Sequence, residues 1–508
     1  MAASLYVKVN ERDNVGIALH NIAAGTDVGS GVVVRQDIPQ AHKIALTDIP
    51  KGGEVVRYGV VLGYAREDTP AGTWINEDSL DLPTPPPLDE MEWGTNIVTD
   101  LPEPPVTTWE GYAPVEPGGY GGTRNYLGIQ TTVQCAAGVV NEAVKRIERD
   151  ILPKYPNVDG VVAVSHAYGC GVAINATDAY IPKRIIRNIA KHPNFGGEFM
   201  LVSLGCEKFS PEMFCEDRPE DNNPENVIVL QDCHGFEDMM DKICAMAEKK
   251  LARLNERRRV TLPLSDLLIG MQCGGSDAFS GVASNPAIGY CADLLVAGGG
   301  TAMFSEVTEV RDGVYLLAHR CVDEPTEKKL AEEMRWYDNY LDRGGADRSA
   351  NPTPGNHAGG LSNIVEKAMG SIAKSGRSPI VEVLSPGERP TKHGLIYAAT
   401  PASDLCCGPC QLASGMGAEI FTTGRGTPYS LAAAPVLKIC SRSEVKENWP
   451  DLIDINAGPI SSGEKTIAEV GTELFLLLLD VVSGRKKSFA EEHGLANDLC
   501  VFNPAPIT

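Results

Sequence analysis

Positive charge is scarce in this chain. Its 508 residues carry 67 Asp and Glu against 45 Lys and Arg, a formal net charge of −22. A surplus of that sign is repelled by phosphate backbones and anionic bilayers, which argues against nucleic acid and membrane partners. An acidic substrate then requires a local cationic pocket. Long apolar runs are also missing: Leu474–Leu479 is far too short to span a bilayer and is expected in a core helix. The opening MAASLYVKVNERDN has no basic stretch followed by an apolar one, so no secretory signal and a cytoplasmic location are expected. In that setting the 14 cysteines read as reduced thiols, metal ligands or small buried hydrophobes. A phosphate loop is lacking, because no Lys-Ser/Thr pair follows Gly118–Gly122 and no strand leads into it. Cys407-Gly408-Pro409-Cys410 lacks the tryptophan that precedes a dithiol redox motif and reads as packing at a helix start.

What is present is a globular composition, 43% hydrophobic and 22% charged, on a chain long enough for about two or three domains. Residues 1–83 alternate short β-type runs with tight glycine turns, which predicts a small β module. Residues 84–122 are Pro-rich and acidic with almost no period, as in an extended linker that holds the module away and lets it reach another surface. From 123 to 258, and again from 259 to 508, apolar runs alternate with helical patterns, the signature of parallel sheets covered by helices. The fold class expected is therefore multidomain α/β.

Four apolar runs end on a cysteine: Tyr126–Cys135, Gly160–Cys170, Glu198–Cys206 and Leu267–Cys273, the last continuing as CGGSDAFSG. Ligands of doubly wound sheets bind beyond the carboxyl ends of strands, so Cys135, Cys170, Cys206 and Cys273 are expected to line one crevice. Soft thiolates gathered there suit iron, as Fe2+ or as an iron–sulfur cluster, although cysteines also pack as small residues under tight turns. Asp277, Glu306 and Glu309 are oxygen donors for iron or another divalent cation, or caps of the helices that follow. His166 is a candidate base or ligand. His42, Lys43 and Arg57 bring cations or potential cations into the β module, where strand-edge charges would look the same. Arg425, flanked by glycines, with Arg389 and Lys392, offers the pocket for a carboxylate. Asn351–Gly360 is too rich in Pro and Gly for a regular element and suggests an active-site loop.

Together these clusters closely resemble the altronate/galactarate dehydratase family of sugar-acid dehydratases, over practically the whole chain. The likeness rests on HKIALTDIPKG and VVRYG, on PKYPNVDGVV, YGCGVAIN and SLGCEKF, and on MQCGGSDAFSG, SEVTEVRD, DRSANPTPGN, FTTGRGTPY, DINAG and FNPAP. Trp336–Leu341 and Ser385–Asp404 favour the galactarate branch. The resemblance implies an N-terminal β-clip (SAF-type) domain, a middle domain for homodimer contacts, and a Rossmann-like C-terminal domain with a divalent metal. It further implies iron-dependent loss of water from a hexaric acid, most simply galactarate to 5-dehydro-4-deoxy-D-glucarate. Altronate dehydration and elimination from a hydroxy acid such as sulfolactate remain open, and a thiol oxidoreductase or a non-catalytic sugar-acid binder are the competing classes. One arginine of the relatives has no counterpart after Tyr112, whereas Arg124 and Asn125 match. The expected site comprises His42, Lys43, His166 and Arg425 for catalysis. Arg57, Arg124, Asn125, Ser276, Arg389, Lys392, Thr423 and Gly424 are expected around the diacid. Cys135, Cys170, Cys206, Cys273, Asp277 and Glu306 are the expected metal ligands. The β module would close as a lid that brings His42 and Lys43.

Overall fold

The computed structural model describes residues 4–508. Glycine turns break the first segment into short antiparallel strands: β1 (Tyr6–Val7), β2 (Val15–Ala18), β3 (Lys43–Ala45), β4 (Glu54–Arg57), β5 (Val60–Ala65), β6 (Trp74–Ile75) and β7 (Leu80–Asp81). They form two small sheets, ordered β1-β2-β3-β6 and β4-β5-β7. Val15, Ala45, Val55, Leu62 and Ile75 make a core that continues onto Val365 of the C-terminal domain.

The Pro-rich segment is irregular, as its composition requires, but it does not hold the β module at a distance. Arg348 and Arg311 donate to the carbonyls of Pro83 (2.7 Å) and Pro86 (2.9 Å), and Arg377 to that of Asp100 (2.7 Å). It is a strap laid along the C-terminal domain, and its last part, β8 (Thr108–Tyr112), pairs with β13 (Arg259–Pro263). Proline removes backbone donors, so carbonyls without strand partners are left for these arginines.

The middle domain is a four-stranded parallel sheet of β9 (Tyr126–Thr131), β10 (Gly160–Val164), β11 (Leu201–Ser203) and β12 (Val227–Val229), ordered β10-β9-β11-β12. Helices Ala137–Asp150 and Gly235–Leu254 cover it over Leu127, Ile129, Val140, Ile147, Met200, Val202 and Ile243.

Seven parallel strands build the last domain: β14 (Leu268–Cys273), β15 (Thr301–Phe304), β16 (Ile380–Leu384), β17 (Leu395–Ala398), β18 (Ala418–Thr423), β19 (Val436–Cys440) and β20 (Ile455–Asn456). Their order is β16-β17-β15-β14-β18-β19-β20, so the chain winds to one side of β14 and then returns to build the other. Every residue of β14 is buried, which is why it reads as a continuous apolar run. The crevice of such a sheet opens where the winding reverses, at the carboxyl end of β14. Among the described residues no helix is long and apolar enough to cross a membrane.

Candidate active site

Cys273 ends β14 at this switch point. Its Sγ donates to Glu309 Oε2 (2.8 Å) and lies 3.6 Å from Glu306 Oε2. The two glutamates follow β15, and Glu306 adopts a left-handed backbone (φ +79°) that turns its side chain back under Cys273. Helix Ile364–Ile372 and the turn after it bring the counter-charges. Lys374 Nζ bonds Glu306 Oε2 and Ser371 Oγ (2.9 Å) and lies 3.3 Å from Cys273 Sγ, while Lys367 Nζ lies 2.7 Å from Glu309 Oε1. All five groups are buried.

Charge balance sets the protonation states. Burial, with Glu309 beside it, pushes the Glu306 pKa up to about 8, and the same causes lift the Cys273 thiol well above its ordinary value. Burial would also raise Glu309, yet the Lys367 and Lys374 charges outweigh it and hold this carboxyl below the usual range. Burial opposes the charge on Lys374, but Cys273, Glu306 and Glu309 outweigh it and keep the lysine protonated.

A roof from the N-terminal domain closes the site. Glu366 accepts from both Lys43 Nζ (2.8 Å) and Arg57 Nη1, and Arg57 Nη2 donates to Ala278 O (2.7 Å). Tyr58 lies under the Arg57 guanidinium and reaches the place where Gly281 meets Gly370. A Cβ on Gly281 would collide with the Tyr58 hydroxyl and lie 2.6 Å from Gly370 Cα. The space left, lined by Tyr58, Cys273, Ser276, Asn285, Lys367 and Ser371, is about 10 Å³, room for one water.

Several expected residues lie elsewhere. Cys135, Cys170 and Cys206 do not join Cys273: they are exposed and follow β9, β10 and β11 of the other sheet. Sequence alone does not say which of two parallel sheets a strand enters. His166 also belongs to the middle domain. Its Nε2 meets Thr131 O at 2.8 Å, and burial lowers its pKa to about 4. His42 is buried at the domain contact with both ring nitrogens engaged: Nδ1 accepts from Trp74 Nε1 (3.1 Å), which leaves the proton on Nε2 facing Ala358 O (3.4 Å). Lys43 and Arg57 are paired with Glu366 in the roof. Asp277, by contrast, lines the same cavity as Cys273, but it is tied to Ser280 (2.8 Å), Ser441 (2.8 Å) and Arg442 (2.9 Å) and is not among the donors grouped with Cys273. Ser276 lines the space with an unpartnered hydroxyl.

Thr423 accepts from Gly426 N (3.0 Å), and Gly424 packs on Asp277 beside the exposed Arg425. Arg124 and Asn125 precede β9 and lie at its amino edge: Arg124 pairs with Glu491 (2.8 and 2.9 Å), and Asn125 donates to Asn157 O (2.8 Å) and Leu254 O (2.9 Å). Lys392 precedes β17 and is likewise on the wrong edge, exposed, while Arg389 lines a separate cavity with Tyr120 and Arg187. Residues entering a parallel strand sit opposite the crevice, which is the physical reason these cations are misplaced. Lys367, Lys374, Ser371 and Glu366 are absent from the expected set. In VEKAMGSIAK, Lys367, Ser371 and Lys374 recur at the spacing of one helical face, with Glu366 on the adjoining one.

Among the described residues, Cys273, Glu306 and Glu309 form the group of metal-binding side chains whose donor atoms all lie within 4.8 Å of one another. Glu306 Oε1 is buried without a partner. One thiol and two carboxylates suit a divalent ion of intermediate softness, so the residues fit such an ion once Cys273 loses its proton and Lys374 its hold on Glu306.

A buried lysine–carboxylate–thiol group beneath a roof domain is an arrangement suited to moving protons on a small polar substrate. The comparisons with known proteins narrow this class. The family model described as D-galactarate/altronate dehydratase, C-terminal, matches residues 264–507. The second domain of D-galactarate dehydratase/altronate hydrolase matches 112–255, and the altronate/galactarate dehydratase SAF domain matches 4–83. The galactarate dehydratase (L-threo-forming) of Escherichia coli is 55% identical over 513 residues, 99% of this chain and 98% of its own. The altronate dehydratase of the same organism is 32% identical, covering 98% of each chain. The beta subunit of (2R)-sulfolactate sulfo-lyase from Chromohalobacter salexigens is 32% identical over 239 residues, 46% of this chain and 60% of its own. The chain belongs to the altronate/galactarate dehydratase family and is a hydro-lyase.

Proposed function

We propose that this enzyme removes water from galactarate to give 5-dehydro-4-deoxy-D-glucarate. The observation that carries the reading is the group formed by Cys273, Glu306, Glu309, Lys367 and Lys374 at the switch point of a chain that is 55% identical, end to end, to a galactarate dehydratase.

Elimination next to a carboxylate needs a base for the carbon acid, charge stabilisation for the enediolate, and an acid for the departing hydroxyl. Cys273, Glu306 and Glu309 would hold a divalent ion such as Fe2+, which would supply Lewis acidity toward the substrate carboxylate and leave Lys374 without its counter-charges. Lys374 Nζ, relieved of its counter-charges, becomes the base for the proton next to that carboxylate. Lys367 Nζ, on the wall of the cavity, protonates the leaving hydroxyl. The unpartnered Ser276 Oγ and Asn285 Oδ1 take substrate hydroxyls. A six-carbon diacid cannot enter a space of about 10 Å³, so the roof carrying Tyr58 lifts to admit it and closes to exclude water.

The test is an anaerobic assay of the iron-loaded enzyme against galactarate, glucarate and altronate, following the keto-deoxy product. Lys374→Ala and Lys367→Ala should each lower kcat by about 10²–10⁴, with circular dichroism and metal content unchanged. Turnover near wild type in Lys374→Ala, or no turnover of galactarate by the native chain, overturns the reading.

A further inference from the structure

The three cysteines that do not reach Cys273 follow three adjacent strands. In the middle sheet β9 lies between β10 and β11, and Cys135, Cys170 and Cys206 come just after the carboxyl ends of β9, β10 and β11 respectively. All three are exposed, although cysteine is among the residues most often buried. Their loops are interlocked. Gly169, next to Cys170, accepts from the amides of Lys208 (3.0 Å) and Phe209 (3.1 Å) just past Cys206. With its left-handed backbone (φ +113°), the same glycine leaves no room for a Cβ, which would stand on Thr132 O and 3.1 Å from Val133 Cα in the loop leading to Cys135. Glu207, next to Cys206, accepts from Thr132 Oγ1, Ser203 Oγ (2.5 Å) and the amide of Gly205 (2.7 Å). A buried carboxylate and a crowded glycine thus fix the three thiol-bearing loops to one another.

A second observation points to a ligand. Gln130 and His166, both almost wholly buried at this edge, leave Gln130 Oε1 and His166 Nδ1 without partners, and the Tyr168 hydroxyl is buried and unpartnered as well. These buried polar atoms at one strand edge have bonding capacity to offer a group seated beside the thiols. The donor set is thiol only, which favours soft metal centres. A single ion draws its ligands to about 2.3 Å, so three sulfurs around it lie within about 4 Å of one another. Cys135, Cys170 and Cys206 are not among the groups whose donors all lie within 4.8 Å, so they are set wider than one ion takes.

We propose that Cys135, Cys170 and Cys206 bind an iron–sulfur cluster at the carboxyl edge of the middle sheet, a centre distinct from the Cys273 group. The three thiols bind as thiolates, each Fe–S bond replacing an S–H bond whose proton passes to solvent, and the cluster keeps its own iron and sulfide. Three cysteines serve three corners of a four-iron cluster and leave the fourth iron without a thiolate.

The experiment is anaerobic reconstitution of the full-length enzyme with ferrous iron and sulfide, followed by removal of unbound reagents. Iron, acid-labile sulfide and the visible absorption are then measured. The expected result is about four sulfides per chain in the native enzyme. Each of Cys135→Ser, Cys170→Ser and Cys206→Ser should lose most of that sulfide and absorption while keeping the native circular dichroism and melting temperature. Cys273→Ser should retain the sulfide, which separates this centre from the proposed catalytic ion. Iron bound without sulfide, or equal sulfide in the native enzyme and the triple serine variant, overturns the proposal.

Discussion

Glu306 is held in two unfavourable states at once. A left-handed backbone costs a non-glycine residue about 1–3 kcal/mol, and its carboxyl is buried beside a second one. The Cys273 amide donates to Glu306 Oε2 (3.3 Å) and the Glu306 amide donates to Thr400 Oγ1 (3.2 Å), which keeps it there. Since its folded pKa stands at about 8 against an ordinary 4.5, the folded state holds the proton more tightly than the unfolded chain. The stability this provides is complete below about 4.5 and is lost as pH rises toward about 8. Glu306→Gln, neutral at every pH, should flatten that part of the curve; melting temperatures taken from pH 4 to 9 measure it, and an unchanged slope would mean that Glu306 ionises freely in the fold.

Helix Ile364–Ile372 joins the domains because its polar residues face two ways. Glu366 takes the two cations of the roof, while Lys367, with Lys374 beyond the helix end, takes the two glutamates of the floor. Burial would raise the Glu366 pKa, but Lys43 and Arg57 outweigh it and hold the carboxylate charged. Glu366→Ala strands both roof cations and should cost about 3–5 kcal/mol by chemical denaturation, with a larger loss of turnover than of secondary structure. Gly281→Ala inserts a methyl where Tyr58 and Gly370 already touch. That overpacking should cost about 1–3 kcal/mol and prop the roof open, visible as faster hydrogen exchange at Lys43–Ala45; unchanged exchange would show that the contact is slack.

At the scale of the whole molecule, a net charge of −22 surrounds the site proposed for galactarate, a dianion. Repulsion slows the approach of such a substrate, and salt screens it over about 8–10 Å. Raising KCl from about 0.01 to 0.15 M should therefore raise kcat/KM for galactarate with little change in kcat, and a fall would mean that local cations already dominate the approach path. Much of this architecture is legible in the amino acids. The strands β14 through β19 stand out in the sequence as largely apolar runs that stop sharply at polar clusters, because strands covered on both faces bury nearly every side chain. Cys273 and Glu306 are legible as strand-end residues for the same reason, the one ending such a run and the other following one. Lys367 and Lys374 are not, because a lysine on a helix normally marks solvent, and only the fold shows that Glu309 and Glu306 wait beneath them. The four cysteines looked alike locally, and their division between two sheets depends on strand order, a property of distant pairings that no window of sequence contains.

The arginine grip on Pro83 and Pro86 has a bearing on how each turnover begins. With its stalk anchored two residues past β7, the N-terminal domain has a fixed point about which the proposed lifting of the roof is a hinge motion. Reseating is then a first-order event whose rate is the same at any enzyme dilution, and the opened domain stays within reach of the cleft it must seal.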